Sequence, residues 1–293
     1  MSLSIKLKNY ILYVFAVPYN KIKMPKLKIM SIDDTIDFVS KQGNSIIRFG
    51  DGEFSIIENH KIDNYQDTNF ELACKLKEAL LCKFDHILVC LPETLVNMDM
   101  CSNNKKSKMN WYNNLFRNRK ILNLFDCNYY YGNAFISRPY MIYPDKSKSG
   151  LWFDKIKAIF KEKDLLVVEG TNSRNGVGND LFSAAKSIIR ILCPPTNAFD
   201  KYKEILTATK HYMDGRLVLL AIGPTSKPLG LELANNGAWV FDIGHLDSEY
   251  EWFLNESKTK TAIQNKHTAE QPDIDIGECS DPDYLSSIVA VIE

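Results

Sequence analysis

Two carboxylates, Asp51 and Glu53, stand two residues apart around Gly52, directly after the apolar run SIIRFG at 45–50, which includes Arg48 and Gly50. In an extended or tightly turned backbone both side chains can point the same way and share one hard divalent cation, which favours oxygen ligands. A cation held there could bridge two phosphates and offset the charge that builds on a departing diphosphate. DGE is also ordinary turn chemistry. Its position makes it a candidate, because open α/β sheets place their ligands just beyond the carboxyl ends of the strands. The loop EGTNSRNGVGND at 169–180 offers three phosphate-binding devices. These are close backbone approach at Gly176 and Gly178, the cationic fork of Arg174, and an expected helix start at Asn179 and Asp180. It is not a dinucleotide fingerprint, since Leu181 stands where the third glycine would be, and it has no Gly-Lys-Ser/Thr of a P-loop. A second turn, Gly223, Pro224, Thr225, Ser226 and Lys227, places hydroxyls and a lysine at a helix start, where a phosphate or ribose is well served. The segment DIGHLDSEYEW at 242–252 clusters Asp242, His245, Asp247, Glu249 and Glu251, groups able to act as a general base or a further metal ligand. Singly, each is more often a surface acid; convergence at one sheet edge would make them a site.

The elements that must position these groups are legible in part. SIDDTIDFVSKQ at 31–42 has a Ser31 start, acids in its first turn and apolar residues at helical spacing, and is expected to be a capped helix. SIIRFG reads as a buried strand, 69–82 as a helix and HILVCLP as a strand. DLLVVEG is a strand, followed by an expected helix from Asn179 through IIRIL to Pro194. RLVLLAIG, PTSKPLGLELANNG and AWVFDIG then form strand, turn with helix, and strand. Such units connect parallel strands by right-handed crossovers. The expected class is therefore α/β, with an open, mostly parallel, Rossmann-like sheet and helices on both faces. Three stretches are distinguished: a basic and apolar arm at 1–30, the main domain at 31–258, and a polar tail at 259–293 that ends in apolar SSIVAVIE.

Thirty-six basic residues balance thirty-six acidic ones, so no global field attracts nucleic acid. Any positive site must be local. The segment NNKKSKMNWYNNLFRNRK at 103–120 has six basic residues, no acid, and Trp111, Tyr112 and Phe116 interleaved. It either binds phosphates or an acceptor, or is a solvated helix face with its aromatics turned inward. The arm carries Lys6, Lys8, Lys21, Lys23, Lys26 and Lys28, with no acid before Asp33. It either lies on an anionic membrane face or packs as a helix on the domain. Cys74, Cys82, Cys90, Cys101, Cys127, Cys193 and Cys279 form no CxxC and are odd in number, which suits a reduced, cytoplasmic setting in which most are small core residues.

Taken in order, IIRFGDGE at 46–53, FISRPY at 135–140, VVEGTNSRNGVGNDLF at 167–182, AIGPTSKPLGLELANNG at 221–237 and DIGHLDSEYEW resemble the GT-D type bacterial glycosyltransferases. The resemblance implies a Rossmann-like fold and a DxE motif carried by Asp51 and Glu53. It also implies a divalent cation (Mn2+ or Mg2+), a UDP-sugar donor and work on bacterial surface glycans or glycoproteins. On that basis Arg48, Gly50, Glu169, Thr171, Arg174, Gly176, Gly178, Gly223, Pro224, Thr225 and Lys227 are candidates for holding the donor. Arg138, fixed in extended backbone before Pro139, is a candidate for the second phosphate or the sugar. Asp242 and His245 are candidates for contacts to the metal or the reacting sugar, and Asp247 or Glu249 for the base at the acceptor hydroxyl. The expected partners are a nucleotide-sugar and a saccharide acceptor, with no nucleic acid. A metal-dependent phosphohydrolase or nucleotidyltransferase, and a non-catalytic binding module, are the rival readings of the same groups.

Overall fold

The apolar runs of this chain become strands buried on both faces, which is how parallel sheets are stabilised. In the computed structural model, residues 3–60, 66–97, 105–268, 271, 273–274 and 276–293 are described. The strands are β1 (Lys28–Ile29), β2 (Ser45–Arg48), β3 (Ile87–Leu91), β4 (Tyr130–Asn133), β5 (Asp164–Gly170), β6 (Ser187–Cys193), β7 (Leu217–Ala221), β8 (Trp239–Asp242) and β9 (Ile288–Val291). They form one sheet in the order β1-β4-β3-β2-β8-β7-β5-β6-β9. Every pairing in it is parallel. The first four strands make one half and the last five the other. The halves meet where β2 pairs with β8 through the Ile46 and Phe241 register.

The helices are α1 (Leu3–Lys23), α2 (Ile32–Val39), α3 (Asp51–Ile57), α4 (Phe70–Leu81), α5 (Lys105–Arg117), α6 (Ser149–Phe160), α7 (Tyr202–Tyr212), α8 (Ser226–Asn235), α9 (Leu246–Leu254) and α10 (Pro282–Ser287). Because side chains alternate across a strand, the sheet builds two cores. Ile47, Val89, Val168, Leu220 and Val240 pack with Leu72 and Leu76 of α4, Ile205 of α7 and Leu229 and Leu233 of α8. On the other face Ile46, Leu88, Val167, Leu219 and Phe241 pack with Ile36 of α2, Phe153 and Ile156 of α6 and Trp252 of α9. The expected α/β class with helices on both faces is what is found.

Local signals account for several boundaries. The Ser31 hydroxyl accepts a hydrogen bond from the Asp34 amide at the start of α2, and the Asn69 side chain accepts one from Leu72 at the start of α4. The helix expected over 179–194 is not there. Residues 179–184 form bends and turns, and SIIRILC is strand β6. Three β-branched isoleucines and a following Pro194-Pro195 favour a strand. Strand β9 comes from the tail and pairs with β6. Of the cysteines, Cys90 and Cys193 are buried, Cys82 and Cys279 half-buried, and Cys74 and Cys127 exposed. Cys101 lies outside the described residues. Burial pushes the Cys82 and Cys193 thiols up to about 12, so neither is a ready nucleophile.

Helix α8 approaches the sheet so closely that a β-carbon on Gly230 would lie 2.8 Å from Cγ2 of Ile47, on a fully buried, β-branched side chain. Gly230→Ala would gain about 1 kcal/mol of helix propensity and lose about 1–3 kcal/mol to overpacking. Net destabilisation in a denaturant titration is the expected outcome. A net gain would show that the α8 interface yields.

Candidate functional site

The parallel sheet brings all its strand ends to one edge, and a cleft of about 1050 Å³ opens there. Residues 49–53 line it after β2, Gly170 and Ser173 after β5, and Gly223, Pro224 and Lys227 after β7. Gly244, His245 and Ser248 line it after β8, with Arg138 above them. Lys108, Trp111, Asn114 and Arg117 of α5 form a further wall.

At the floor of the cleft the two half-sheets are joined by charge. The Arg48 amide donates to Asp242 Oδ2 (3.1 Å), its Nη2 to Oδ1 (2.9 Å), and its Nε to the Asp242 carbonyl. Nη1 of the same guanidinium donates to the Ala134 carbonyl and the Ser137 hydroxyl, which ties in the segment after β4. Lys227 Nζ lies 3.2 Å from Asp242 Oδ2 and 3.1 Å from Glu53 Oε1. Burial alone would push the Asp242 pKa up, but Arg48 and Lys227 outweigh it and hold it below its ordinary value. Gly244 is required beside this link. Its φ is +46°, and a β-carbon there would lie 2.0 Å from Arg48 Nη2.

The DGE motif does not form an isolated turn but the first turn of α3. Glu53 Oε2 accepts from the Gly50 amide (2.8 Å), closing the helix start, while Oε1 faces Lys227. The Asp51 side chain is exposed to the cleft yet ringed by protein. Burial first and Glu53 second raise its pKa, and Arg138 opposes the shift. Two hard carboxylates lining one cleft, one of them crowded by negative charge, fit a divalent cation whose remaining ligands come from a substrate. Among the described residues no group of three or more His, Cys, Asp or Glu side chains could hold a metal by itself.

Several candidates expected at the donor have other partners. Arg174, expected to be a free cationic fork, is buried: Nη1 donates to the Asn265 carbonyl (2.8 Å) and Nη2 to the Gly277 carbonyl (2.6 Å). Arg174 and Gly178 border a separate depression beneath the tail. Gly176 donates its amide to Asp247 Oδ1 (2.8 Å), and a β-carbon there would collide with Phe182. No helix begins at Asn179. Its side chain donates to Asp247 and Glu251 instead. Asp247 is buried and paired with Lys266 (2.8 Å), which also meets Glu251 (2.8 Å). Burial acts against the Lys266 charge, but the two acids prevail and raise its pKa. Glu249 is buried, accepts from the Tyr140 and Met141 amides, and lies 3.7 Å from Arg138 Nη1. Neither Asp247 nor Glu249 faces the cleft. Glu169 is held by Arg190 and Asn175, and the Thr171 hydroxyl donates to the Cys193 carbonyl. Thr225 is buried behind its turn.

The tail instead supplies cleft residues with no sequence signal of their own. His267 and Thr268 reach the cleft between points of the tail held by Lys266 and, through the Asn265 and Gly277 carbonyls, by Arg174, and Lys260 reaches it beside the Thr261 carbonyl that accepts from Trp252 Nε1. His60 is likewise brought in, its Nδ1 2.6 Å from Asn118 Oδ1. A histidine just past a helix is too common a feature to have found it.

A family model described as the glycosyltransferase GT-D fold matches residues 46–271. The chain is 39% identical over 272 residues to glycosyltransferase GlyD of Streptococcus pneumoniae serotype 4, covering 91% of this chain and 33% of that protein. It is 39% identical over 268 residues to a probable glycosyl transferase Gly of Streptococcus gordonii, covering 90% and 39%. The chain thus spans well under half the length of these curated relatives. A solved structure described as a highly conserved domain of unknown function 1792 with a distinct glycosyltransferase fold superposes with a TM-score of 0.87 at 39% identity, over 95% of this chain and 100% of that one. A new glycosyltransferase (DUF1792) from Streptococcus sanguinis gives 0.82 at 38%, over 91% and 100%.

Two outcomes follow from the buried charges. Because the Asp242 pKa is depressed in the fold, its ion pairs contribute fully above the ordinary value of 3.8, and that stability is lost as pH falls below it. Arg48→Met leaves a buried carboxylate short of one counter-charge, and a loss of about 3–5 kcal/mol is expected at neutral pH. Chemical unfolding of both proteins between pH 3 and 7, roughly the span of carboxylate titration, checks this, and the acid-dependent part should shrink in the variant. Arg174→Ala should free the tail: protease cleavage within 258–280 is expected to rise, with roughly 1.5–3 kcal/mol lost per charged hydrogen bond. Unchanged proteolysis would show that Lys266 suffices.

Proposed function

This chain belongs to the glycosyltransferase GT-D fold family, and from that premise we propose that it transfers a hexose from a UDP-sugar to a saccharide acceptor in the synthesis of bacterial surface glycans or glycoproteins. The observation that carries the reading is that Asp51, Glu53, Gly223, Pro224 and Lys227 meet at one cleft beyond the strand ends. Likeness to streptococcal glycosyltransferases supports the transferase class.

Asp51 and Glu53 would hold a manganese or magnesium ion beside the diphosphate. Such an ion supplies charge that stabilises the departing nucleoside diphosphate. Lys227 keeps a positive charge fixed next to the same position through its contacts with Glu53 and Asp242. Arg138, steered by Glu249, presents a guanidinium to the cleft near Asp51, suited to a phosphate or to sugar hydroxyls. Its Nη2 lies 3.0 Å from His245 Nδ1. An arginine only donates, so Nδ1 accepts and the imidazole proton resides on Nε2. His245 in this arrangement positions Arg138 and does not offer Nδ1 as a base. The α5 wall, with the half-buried ring of Trp111 beside Asn114, has the aromatic and amide chemistry of a saccharide acceptor site.

The test is release of UDP from a panel of UDP-sugars, with product analysis, in the presence and absence of a chelator. Asp51→Asn keeps size and removes charge. Turnover is expected to fall on the order of a hundredfold or more, with a much smaller change in donor affinity. Glu53→Gln retains an acceptor for the Gly50 amide but removes one of the two carboxylates beside Lys227, so a stability check accompanies it. Intact UDP with a glycosylated acceptor supports the proposal. Cleavage of the phosphoanhydride, or activity indifferent to both chelation and Asp51→Asn, would sink it.

A further inference from the structure

Helix α1 has two faces of different character. One packs on α5: Asn20 donates to the Tyr112 carbonyl (3.0 Å), Asn113 donates to the Asn9 carbonyl (2.8 Å), and Tyr13 and Tyr19 meet Tyr112 and Phe116 edge to face. The other carries Leu7, Tyr10, Ile11, Val14, Phe15 and Ile22, all between 49% and 77% exposed. Their spacing of three, four and seven places them on one stripe, which at 1.5 Å per residue runs about 22 Å. Large apolar side chains gathered this way on a surface mark a contact site.

Charge identifies the occupant. Lys6 and Lys8 flank the stripe and Lys21 and Lys23 stand at its far end, all four exposed, and Lys26 and Lys28 follow, with no acid before Asp33. The neighbouring α5 adds Lys105, Lys106, Lys108 and Arg117, again without an acid. In a chain whose formal charge balances, this is a strong segregation of positive charge to one surface. A second copy of the chain would bring lysines against lysines, whereas an anionic surface meets them favourably. No described helix is long and apolar enough to cross a membrane, so α1 would lie along a bilayer.

We propose that the outer face of α1 docks on a lipid bilayer containing anionic headgroups, with its apolar stripe in the headgroup boundary and its lysines on the phosphates. Since α5 bridges α1 and the cleft, docking holds the cleft wall containing Trp111 next to the membrane. Docking stands independently of the glycosyl-transfer reading; its use for reaching an acceptor carried on a lipid rests on that reading.

The test is co-sedimentation of the full chain with vesicles of phosphatidylcholine alone or mixed with phosphatidylglycerol, at low and high salt, with oligomeric state measured in parallel. Binding is expected to need the anionic lipid and to weaken with salt, as screening shortens the reach of the lysines. Leu7→Ser/Ile11→Ser/Phe15→Ser should reduce vesicle binding at least tenfold. The same variant should keep the far-ultraviolet spectrum, melting temperature and UDP release on a soluble acceptor. Lys21→Ser/Lys23→Ser should reduce binding with the stripe intact. Failure of the wild type to bind anionic vesicles, equal binding by the triple variant, or a wild-type dimer that the triple variant dissociates would overturn the proposal. Loss of UDP release with vesicle binding intact would instead count against the assigned reaction.

Discussion

The structure turns on one buried ion pair. Strands β2 and β8 come from opposite halves of the chain, and past their shared register the join depends on Arg48 and Asp242. Two charges removed from water are tolerable only when every oxygen and N–H finds a partner. Asp242 therefore takes Arg48 on both oxygens and Lys227 on one, while Arg48 reaches across to Ala134 and Ser137. The same demand for satisfaction draws Glu53 into place through Lys227, so one set of charges both shapes the cleft and helps join the half-sheets.

A second group of buried charges lies away from the cleft lining. Glu169 with Arg190, Asp247 with Lys266, and Arg174 with two tail carbonyls all lie behind the loop that follows β5. They close the tail over the sheet edge and so shape a cleft wall that they do not touch. Arginine, asparagine and glycine in a loop after a strand suit either a phosphate or a set of backbone carbonyls. Here protein carbonyls occupy the donors.

This explains what the sequence could and could not reveal. The place of Asp51 and Glu53 just beyond a buried strand was legible because apolar strand, glycine and acids are contiguous. Helix starts at Ser31 and Asn69 were legible for the same reason. Strand β6 was not, since burial on both faces erases the alternation that separates strand from helix. The role of Arg174 was hidden because its carbonyl partners lie 91 and 103 residues further along the chain. The positions of Asp247 and Glu249 just past strand β8, in the first turn of α9, were foreseeable, but whether a carboxylate faces solvent or a buried partner depends on pairings made only in the fold.

The chain enters the sheet at one margin, β1, and its last strand, β9, forms the opposite margin. Nine strands at about 4.8 Å spacing put these margins roughly 38 Å apart. Segments joined to the two ends of such a unit would be kept at a distance, with the cleft edge between them. In proteins that carry this unit within a longer polypeptide, the sheet would then serve as a stiff strut as well as a binding platform.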